Sequence, residues 1–331
     1  MIYTDVGMTD VYFFTETKKL PLALDRLGIS DFKGARLPIK LHMGEPGNRY
    51  YISPSLVKLA VDKLKEAGAE PFLFDTTVAY PTPRANKAGY EDIAYRHGFR
   101  KKDMGCEVVI GEEGVEVVEG GQSFQVARQI YESTHLMVMS HVKGHLLAGF
   151  GGAIKNLGMG GVTKDSKRMI HSMSLPRHSP DKCNHCGSCA EVCPDQAITV
   201  DPEWEKTNCP GCGKCVAACP TGALTYEVMD LQRGLALSAK ACILEKRVIY
   251  INTLINITRN CDCVPDPGSI ICPDIGYLAS SELAAIDRAS LDMINEVKPD
   301  LFLEHNGVDP ARQVNYAQEI GLASDYQLVT L

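Results

Sequence analysis

Eight of the chain's 13 cysteines fall between Cys183 and Cys219. They form two copies of one pattern. The first is Cys183-x2-Cys186-x2-Cys189-x3-Cys193-Pro194, and the second, 26 residues on, is Cys209-x2-Cys212-x2-Cys215-x3-Cys219-Pro220. Thiolates at this spacing hold iron–sulfur cubanes. Three on one short loop wrap three corners, and the fourth, opening a short helix, reaches the neighbouring cluster. The expected ligands of one [4Fe–4S] cluster are Cys183, Cys186, Cys189 and Cys219, and those of the other are Cys209, Cys212, Cys215 and Cys193. Paired CxxC motifs also serve structural zinc, but two full copies closed by x3-Cys-Pro favour iron. Ala197-Ile198-Thr199 and Ala223-Leu224-Thr225 repeat as well and predict two small strands. With every iron corner held by thiolate, such a module conducts single electrons and does no substrate chemistry.

Three further constellations lie outside the repeat. His141-Val-Lys143-Gly-His145 leads into Gly149-Phe-Gly151-Gly152-Ala-Ile-Lys155-Asn156, directly after the apolar run His135 to Ser140. In a parallel sheet a Gly-rich turn after a strand lies at the ligand-binding edge. The next helix N-terminus attracts anions. Lys143, Gly151, Gly152, Lys155 and Asn156 are therefore candidate ligand contacts, with His141 and His145 as candidate acid–base residues. Lys40, His42, Asn48 and Arg49 form a second polar loop after a strand. The two loops predict a basic cleft for an anion, either a carboxylate or a phosphate-bearing cofactor such as a flavin, which would convert single electrons into pairs. Third, Cys261-Asp-Cys263 with Cys272 is a candidate soft-metal site, for zinc or an iron–sulfur centre with an open corner. The alternatives there are metal-free thiols or a redox-active pair. Cys106 and Cys242 read as packing residues, and Asp287, beside Arg288, as a solvated or paired helical residue.

The elements that must position these groups alternate. Arg36 to Met43 reads as strand. Ser53 and Pro54 open a helix as N-cap and first helical residue, and Gly68 stops it. Pro71 to Asp75, Glu107 to Ile110 and His135 to Ser140 read as strands, and Ser123 to Tyr131 as helix. Beyond the cysteines, Arg247 to Thr258 reads as strand, Ser280 to Val297 as helix, Leu301 to Leu303 as a last strand and Pro310 to Ile320 as helix. Such alternation predicts an α/β fold with a mostly parallel sheet. The body is discontinuous, residues 1–178 and 228–331, with a bacterial-type 2[4Fe–4S] ferredoxin-like module inserted at 179–227.

Composition narrows the function. The chain has 331 residues, 45% hydrophobic and 23% charged, with a net charge of −7. It lacks the basic footprint that phosphate backbones require, which argues against a nucleic-acid partner. Its most apolar run, Val248 to Ile257, is broken by Asn252 and Asn256 and is too short for a membrane span. Met1 to Phe14 carries Asp5 and Asp10 and no Lys or Arg, unlike a secretory leader. Many cysteines in such a chain point to metal or redox use in the cytoplasm.

From about Arg36 to about Val308 the chain resembles the Fe–S centre protein family, a domain of unknown function carrying an inserted two-cluster ferredoxin. Lys143-Gly-His145, Gly151-Gly-Ala-Ile-Lys155-Asn156-Leu-Gly158, the paired cysteine motifs and Asp274-Ile-Gly-Tyr-Leu-Ala-Ser280 leading to Ala285-Ile-Asp287 carry the resemblance. More distantly, His145-x3-Gly149-Phe150-Gly151-Gly152-x2-Lys155 is similar to a stretch of the nickel-pincer lactate racemases. That likeness implies an acid–base or ligand role for His145 and a cofactor or phosphate contact for Lys155. Ala153 and Ile154 depart from that family's more basic approach to the lysine, and the racemases have no ferredoxin insert. Only the fold and cleft are carried over. The resulting expectation is a cytoplasmic iron–sulfur oxidoreductase that exchanges electrons with a redox partner protein and acts on an anionic small molecule. One alternative is an electron-carrier subunit whose acidic module (Asp195, Asp201, Glu203, Glu205) steers partners. Another is a metal- or cofactor-dependent, racemase-like enzyme with structural clusters.

Overall fold

The computed structural model describes residues 8–193 and 195–331. Met1 to Gly7, where the leader question falls, and Pro194 of the first repeat lie outside the described residues.

Eight strands make the main sheet. They are Thr9–Phe14 (β1), Arg36–Lys40 (β2), Glu70–Thr76 (β3), Val108–Gly111 (β4), His135–His141 (β5), Arg247–Leu254 (β6), Gly276–Ser280 (β7) and Tyr326–Thr330 (β8). Their order is β8-β1-β7-β6-β5-β2-β3-β4. β7 runs antiparallel to both neighbours, and the other pairings are parallel. The expected mostly parallel α/β sheet is therefore present.

Its central strands are apolar on both faces because both faces are covered. Phe72, Phe74, Leu136, Val138, Val248 and Tyr250 point into one core. There they meet the helices Ala153–Gly160 (α2), Leu231–Ile243 (α4) and Leu283–Val297 (α5). The alternate residues Leu73, Met137, Met139, Ile249 and Ile251 point into the other core, against the helix Pro54–Glu66 (α1). Pro54 opens α1 as expected, but the Ser53 side chain caps no backbone N–H and pairs with Ser55 Oγ instead.

Two expected elements change type. The helix expected over Ser123 to Tyr131 is a strand, Gln122–Ala127, paired antiparallel with Gly114–Glu119, and only Arg128–Tyr131 is helical. Gly120 and Gly121, both left-handed, make a two-residue turn, and the period-2 burial of Phe124 and Val126 decides the pairing. The strand expected at Leu301 to Leu303 begins a helix instead, Leu301–Asn306 (α6), after Asp300 turns the chain through a left-handed conformation. The helix Ala311–Glu319 (α7) follows it.

The cysteine-rich segment is almost all loop, with two short helices, Ser188–Glu191 and Lys214–Ala218. Both expected small strands are present. Ile198–Thr199 pairs with Glu205–Lys206, and Leu224–Tyr226 pairs with Pro176–His178, which ties the end of the segment to its beginning.

Candidate functional site

The C-terminal ends of β2, β3 and β5 converge on one buried polar network, the edge where open α/β sheets bind ligands. Lys40 ends β2 with its Nζ 3.0 Å from Asp75 Oδ1 and donates to Asn156 Oδ1 at 2.7 Å. Asn156, on α2, donates onward to Met139 O and Ser140 Oγ, each at 3.0 Å. Tyr90 closes the other side of Asp75 by donating to Oδ2. Arg84, wholly buried, donates to Glu45 Oε2 at 2.7 Å, and its Nη1 lies 2.7 Å from His42 Nε2. A guanidinium only donates, so that nitrogen accepts. Burial and then the Arg84 charge hold His42 well below its ordinary pKa.

At the end of β5, His141 is held at both nitrogens by acceptors, Asp262 Oδ1 at 2.8 Å and Ile255 O at 2.9 Å. Lys143 Nζ lies 3.1 Å from Asp262 Oδ2 and donates to His141 O at 2.6 Å. Burial alone would raise the Asp262 carboxyl, but Lys143 and His141 outweigh it and hold it well below the usual carboxylate range.

Lys155 differs from these. Among the described residues its ammonium makes no hydrogen bond or ion pair. Burial, then Lys143, push its pKa down to about 7. Its stem and that of Lys143 pass over Gly151. His145 accepts the N–H groups of Leu147 (3.2 Å) and Ala148 (3.1 Å) at Nδ1. Burial, then Lys155 and His171, hold it well below its ordinary pKa.

The cleft expected from sequence is therefore mostly an internally paired network. Lys40, His42, His141, Lys143 and Asn156 come together but satisfy one another. Asn48 donates to Val264 O at 2.9 Å and holds a loop, and Arg49 is exposed without a charge partner among the described residues. The anion seat expected at the N-terminus of α2 is taken. Asp287 accepts from Ala153 N at 2.7 Å and from Ile154 N at 2.8 Å, and a Cβ at Gly152 would strike its carboxylate. Of the two readings of Asp287, solvated or paired, the second holds, with backbone N–H groups and Asn252 as partners rather than Arg288. Asp287 is fully buried, and burial raises its pKa to about 6. A flavin phosphate does not fit where the protein's own carboxylate fills the helix end.

The third constellation is also rearranged. Cys261 and Cys263 form a disulfide, and Cys272 lies apart in the core, beside Lys298 and Asp274. His145 takes the place expected of Cys272, because a nitrogen of its ring and the two sulfurs lie within 4.8 Å of one another.

In the cysteine-rich segment, Cys183, Cys186, Cys189 and Cys219 line one small cavity with Trp204. Cys209 and Cys193 both stand close enough to Cys212 to add to the rise that burial imposes on its thiol. The loop between Cys209 and Cys212 packs on the helix Lys164–Met173 (α3) and the turn after it. His171 Nδ1 lies 3.3 Å from Pro210 O, and Ser174 Oγ donates to Gly211 O at 2.7 Å. Lys155 in turn stands near enough to His171 to depress it further, after burial.

A model of the DUF362 family (domain of unknown function) matches residues 38–292. The chain belongs to that family. No curated protein matches it. Among solved structures, the lactate racemase apoprotein from Thermoanaerobacterium thermosaccharolyticum is similar at 12% identity and a TM-score of 0.45, over 88% of this chain and 58% of that one. A protein from Thermotoga maritima is similar at 11% identity and a TM-score of 0.44, over 92% of this chain and 59% of that one. This DUF362 chain thus spans less than two thirds of the length of either. None of its described helices is long and apolar enough to cross a membrane.

Sequence reasoning missed four residues of the DUF362 site: Asp75, Arg84, His171 and Asp262. Asp262 stood in view inside Cys261-Asp-Cys263. Nothing local marks the other three, whose roles come from partners about 35 to 40 positions away in the chain. Lys167 was missed too. It donates to Thr76 Oγ1 and Thr77 O, each at 2.6 Å, and burial pushes its pKa to about 7. Thr77 also lines a cavity of about 270 Å³ with Gln125, Lys164 and Arg168, which lines neither Lys155 nor His145.

Proposed function

We propose that this protein is an iron–sulfur redox protein that moves single electrons between an external partner and the polar site around Lys155 and His145. Bound by the two cysteine sets, a pair of [4Fe–4S] clusters supplies one-electron transfer. Cys183, Cys186, Cys189 and Cys219 would hold one, and Cys209, Cys212, Cys215 and Cys193 the other. The donor spacing fits a cubane better than zinc. Among the described residues no three of these eight thiols bring their sulfurs within 4.8 Å of one another. Thiolates on one tetrahedral zinc sit about 3.8 Å apart, from a Zn–S bond of about 2.3 Å.

The single observation that carries the reading is the contact of the Cys209–Cys212 loop with His171, because His171 lies within electrostatic reach of Lys155 and His145. At that site Lys155 is the cation left over once Lys40 and Lys143 are paired, so it is the group that would meet an anionic ligand. His145, neutral and accepting at Nδ1, keeps a ring N–H to donate to a bound ligand.

Anaerobic isolation tests this. About eight irons per chain and the paramagnetic signals of reduced cubanes are expected, and Cys212→Ser removes about half the iron. His171→Ala is expected to shift the midpoint potential of the second cluster and leave that of the first unchanged. Stoichiometric zinc with no iron would overturn the assignment, and an unmoved potential would overturn the route through His171.

A further inference from the structure

We propose that Cys261–Cys263 is a redox-active disulfide, a two-electron centre at the end of this electron route, with His145 donating a hydrogen bond to the departing sulfur. The electron route rests on the function proposed above, but the disulfide centre does not.

Four observations favour redox use over metal binding or a merely structural bridge. First, the bond joins residues two apart and lies beside the polar network, not across elements of the fold. It closes so short a loop that it does little to restrict the unfolded chain. Second, the two sulfurs differ in access. Cys261 is buried while Cys263 is half-buried, next to Tyr80, whose exposed ring donates its hydroxyl to Cys263 O at 3.1 Å. One sulfur is open to attack and the other is positioned as leaving group. Third, Asp262, the residue between the two cysteines, holds the Lys143 ammonium by an ion pair, and a cation nearby favours thiolate.

Fourth, His145 is set as a donor. A metal ligand must offer a lone pair, and a neutral imidazole has one in the ring plane. At His145 that lone pair is spent on Leu147 N–H and Ala148 N–H. The ring proton therefore sits on the other nitrogen, suited to donate a hydrogen bond to a departing sulfur and unsuited to hold a metal.

The loop survives opening of the bond because its anchors do not involve sulfur. Glu45 N donates to Asp262 O at 3.0 Å, Asn48 Nδ2 to Val264 O at 2.9 Å and Asn260 N to Pro267 O at 2.9 Å. Reduction breaks the S–S bond and consumes two electrons and two protons, leaving two thiols. The electrons come from two equivalents of a low-potential one-electron donor, each of which is oxidised once. Solvent supplies both protons, and the ring N–H of His145 stabilises the departing thiolate by a hydrogen bond until it is protonated. Re-oxidation passes the pair to a disulfide substrate by thiol–disulfide exchange at Cys263.

Trypsin releases Asn260–Arg288, which contains Cys261, Cys263 and Cys272 and no internal Lys or Arg. Alkylation under denaturing conditions followed by mass spectrometry counts its free thiols. One alkyl group is expected before reduction, on Cys272, and three after anaerobic treatment with reduced methyl viologen. Cys212→Ser is expected to keep one after viologen and reach three after dithiothreitol. His145→Gln is expected to slow opening by dithiothreitol about tenfold or more. Three alkyl groups before any reductant, or stoichiometric zinc on the reduced protein, would overturn the disulfide centre, and an unchanged opening rate would overturn the role of His145. An iron-free protein whose peptide still goes from one to three with dithiothreitol would overturn the electron route and leave the disulfide standing.

Discussion

Between Ser179 and Glu227 only Ile198, Cys215 and Leu224 form a buried apolar cluster, whereas the α/β body buries a large core on each face of its sheet. The polar network at the sheet edge is held by that body. Its groups are pre-placed, paired and shielded by packing that exists without any ligand. The cysteine loops have no comparable support. A unit of that size with five buried apolar residues among those described, two of them alanines, cannot offset the entropy of ordering its backbone, and small domains of this kind depend on metal or disulfide. The comparison separates a site that the fold builds from a site that must build its own fold.

The largest expected effect follows directly. Removing iron by chelation under air, or replacing Cys183 and Cys209 together by Ser, is expected to unfold the 179–227 segment while the body stays folded, because ligand binding and folding of such units are one equilibrium. Hydrogen exchange read segment by segment checks it. Protection is lost over 179–227 and retained over β5 and β6. Equal protection in iron-free and iron-loaded protein would erase the distinction between the two regions.

A smaller effect is expected from the body side. Asp262 is fully buried, ion-paired with Lys143 and hydrogen-bonded to His141. Asp262→Ala leaves the buried Lys143 ammonium without a counter-charge, which is expected to cost about 3–5 kcal/mol of unfolding free energy. Denaturant melts of the holo-protein read this. A loss under about 1 kcal/mol would mean that water reaches these groups and that the network is not a dry, pre-built one.

The same contrast explains what was legible in the sequence. The cysteine motifs are local, with ligand identity and spacing carried within 12 residues per copy, so the grouping of Cys183, Cys186, Cys189 and Cys219 around one cavity was readable at once. The sheet was readable where strands are long and apolar on both faces, as at His135–His141. It was not readable at Gln122–Ala127, where a short amphipathic run was mistaken for helix until its partner strand is known. The site was half readable. Lys40, His141, Lys143, His145 and Lys155 announced themselves by type and by a Gly-rich turn, but their charges are set by Asp75, Asp262 and His171, residues brought in from other elements. Asp287 shows the limit most plainly. In sequence it is one acidic residue on a helix, and in space it fills the helix N-terminus where a ligand's anion was expected.

The smallest effect concerns Lys155, the network's odd cation. Its pKa is lowered from the ordinary lysine value to about 7 because desolvation, then Lys143, act on a half-buried amine without a carboxylate of its own. Between about pH 7 and the ordinary lysine pKa near 10.4 the unfolded chain holds a proton that the folded chain has released, so this group makes stability rise with pH across that window. Lys155→Met is therefore expected to stabilise the protein by about 1 kcal/mol at pH 6.5 and by progressively less towards pH 10. An anion at the site needs the protonated amine. Thermal stabilisation by inorganic phosphate or oxalate should be strongest below pH 7, weaken above it and vanish in Lys155→Met. If Lys155→Met is instead destabilising at pH 6.5, the ammonium already has a partner within the fold, and the network at the sheet edge is closed to anions.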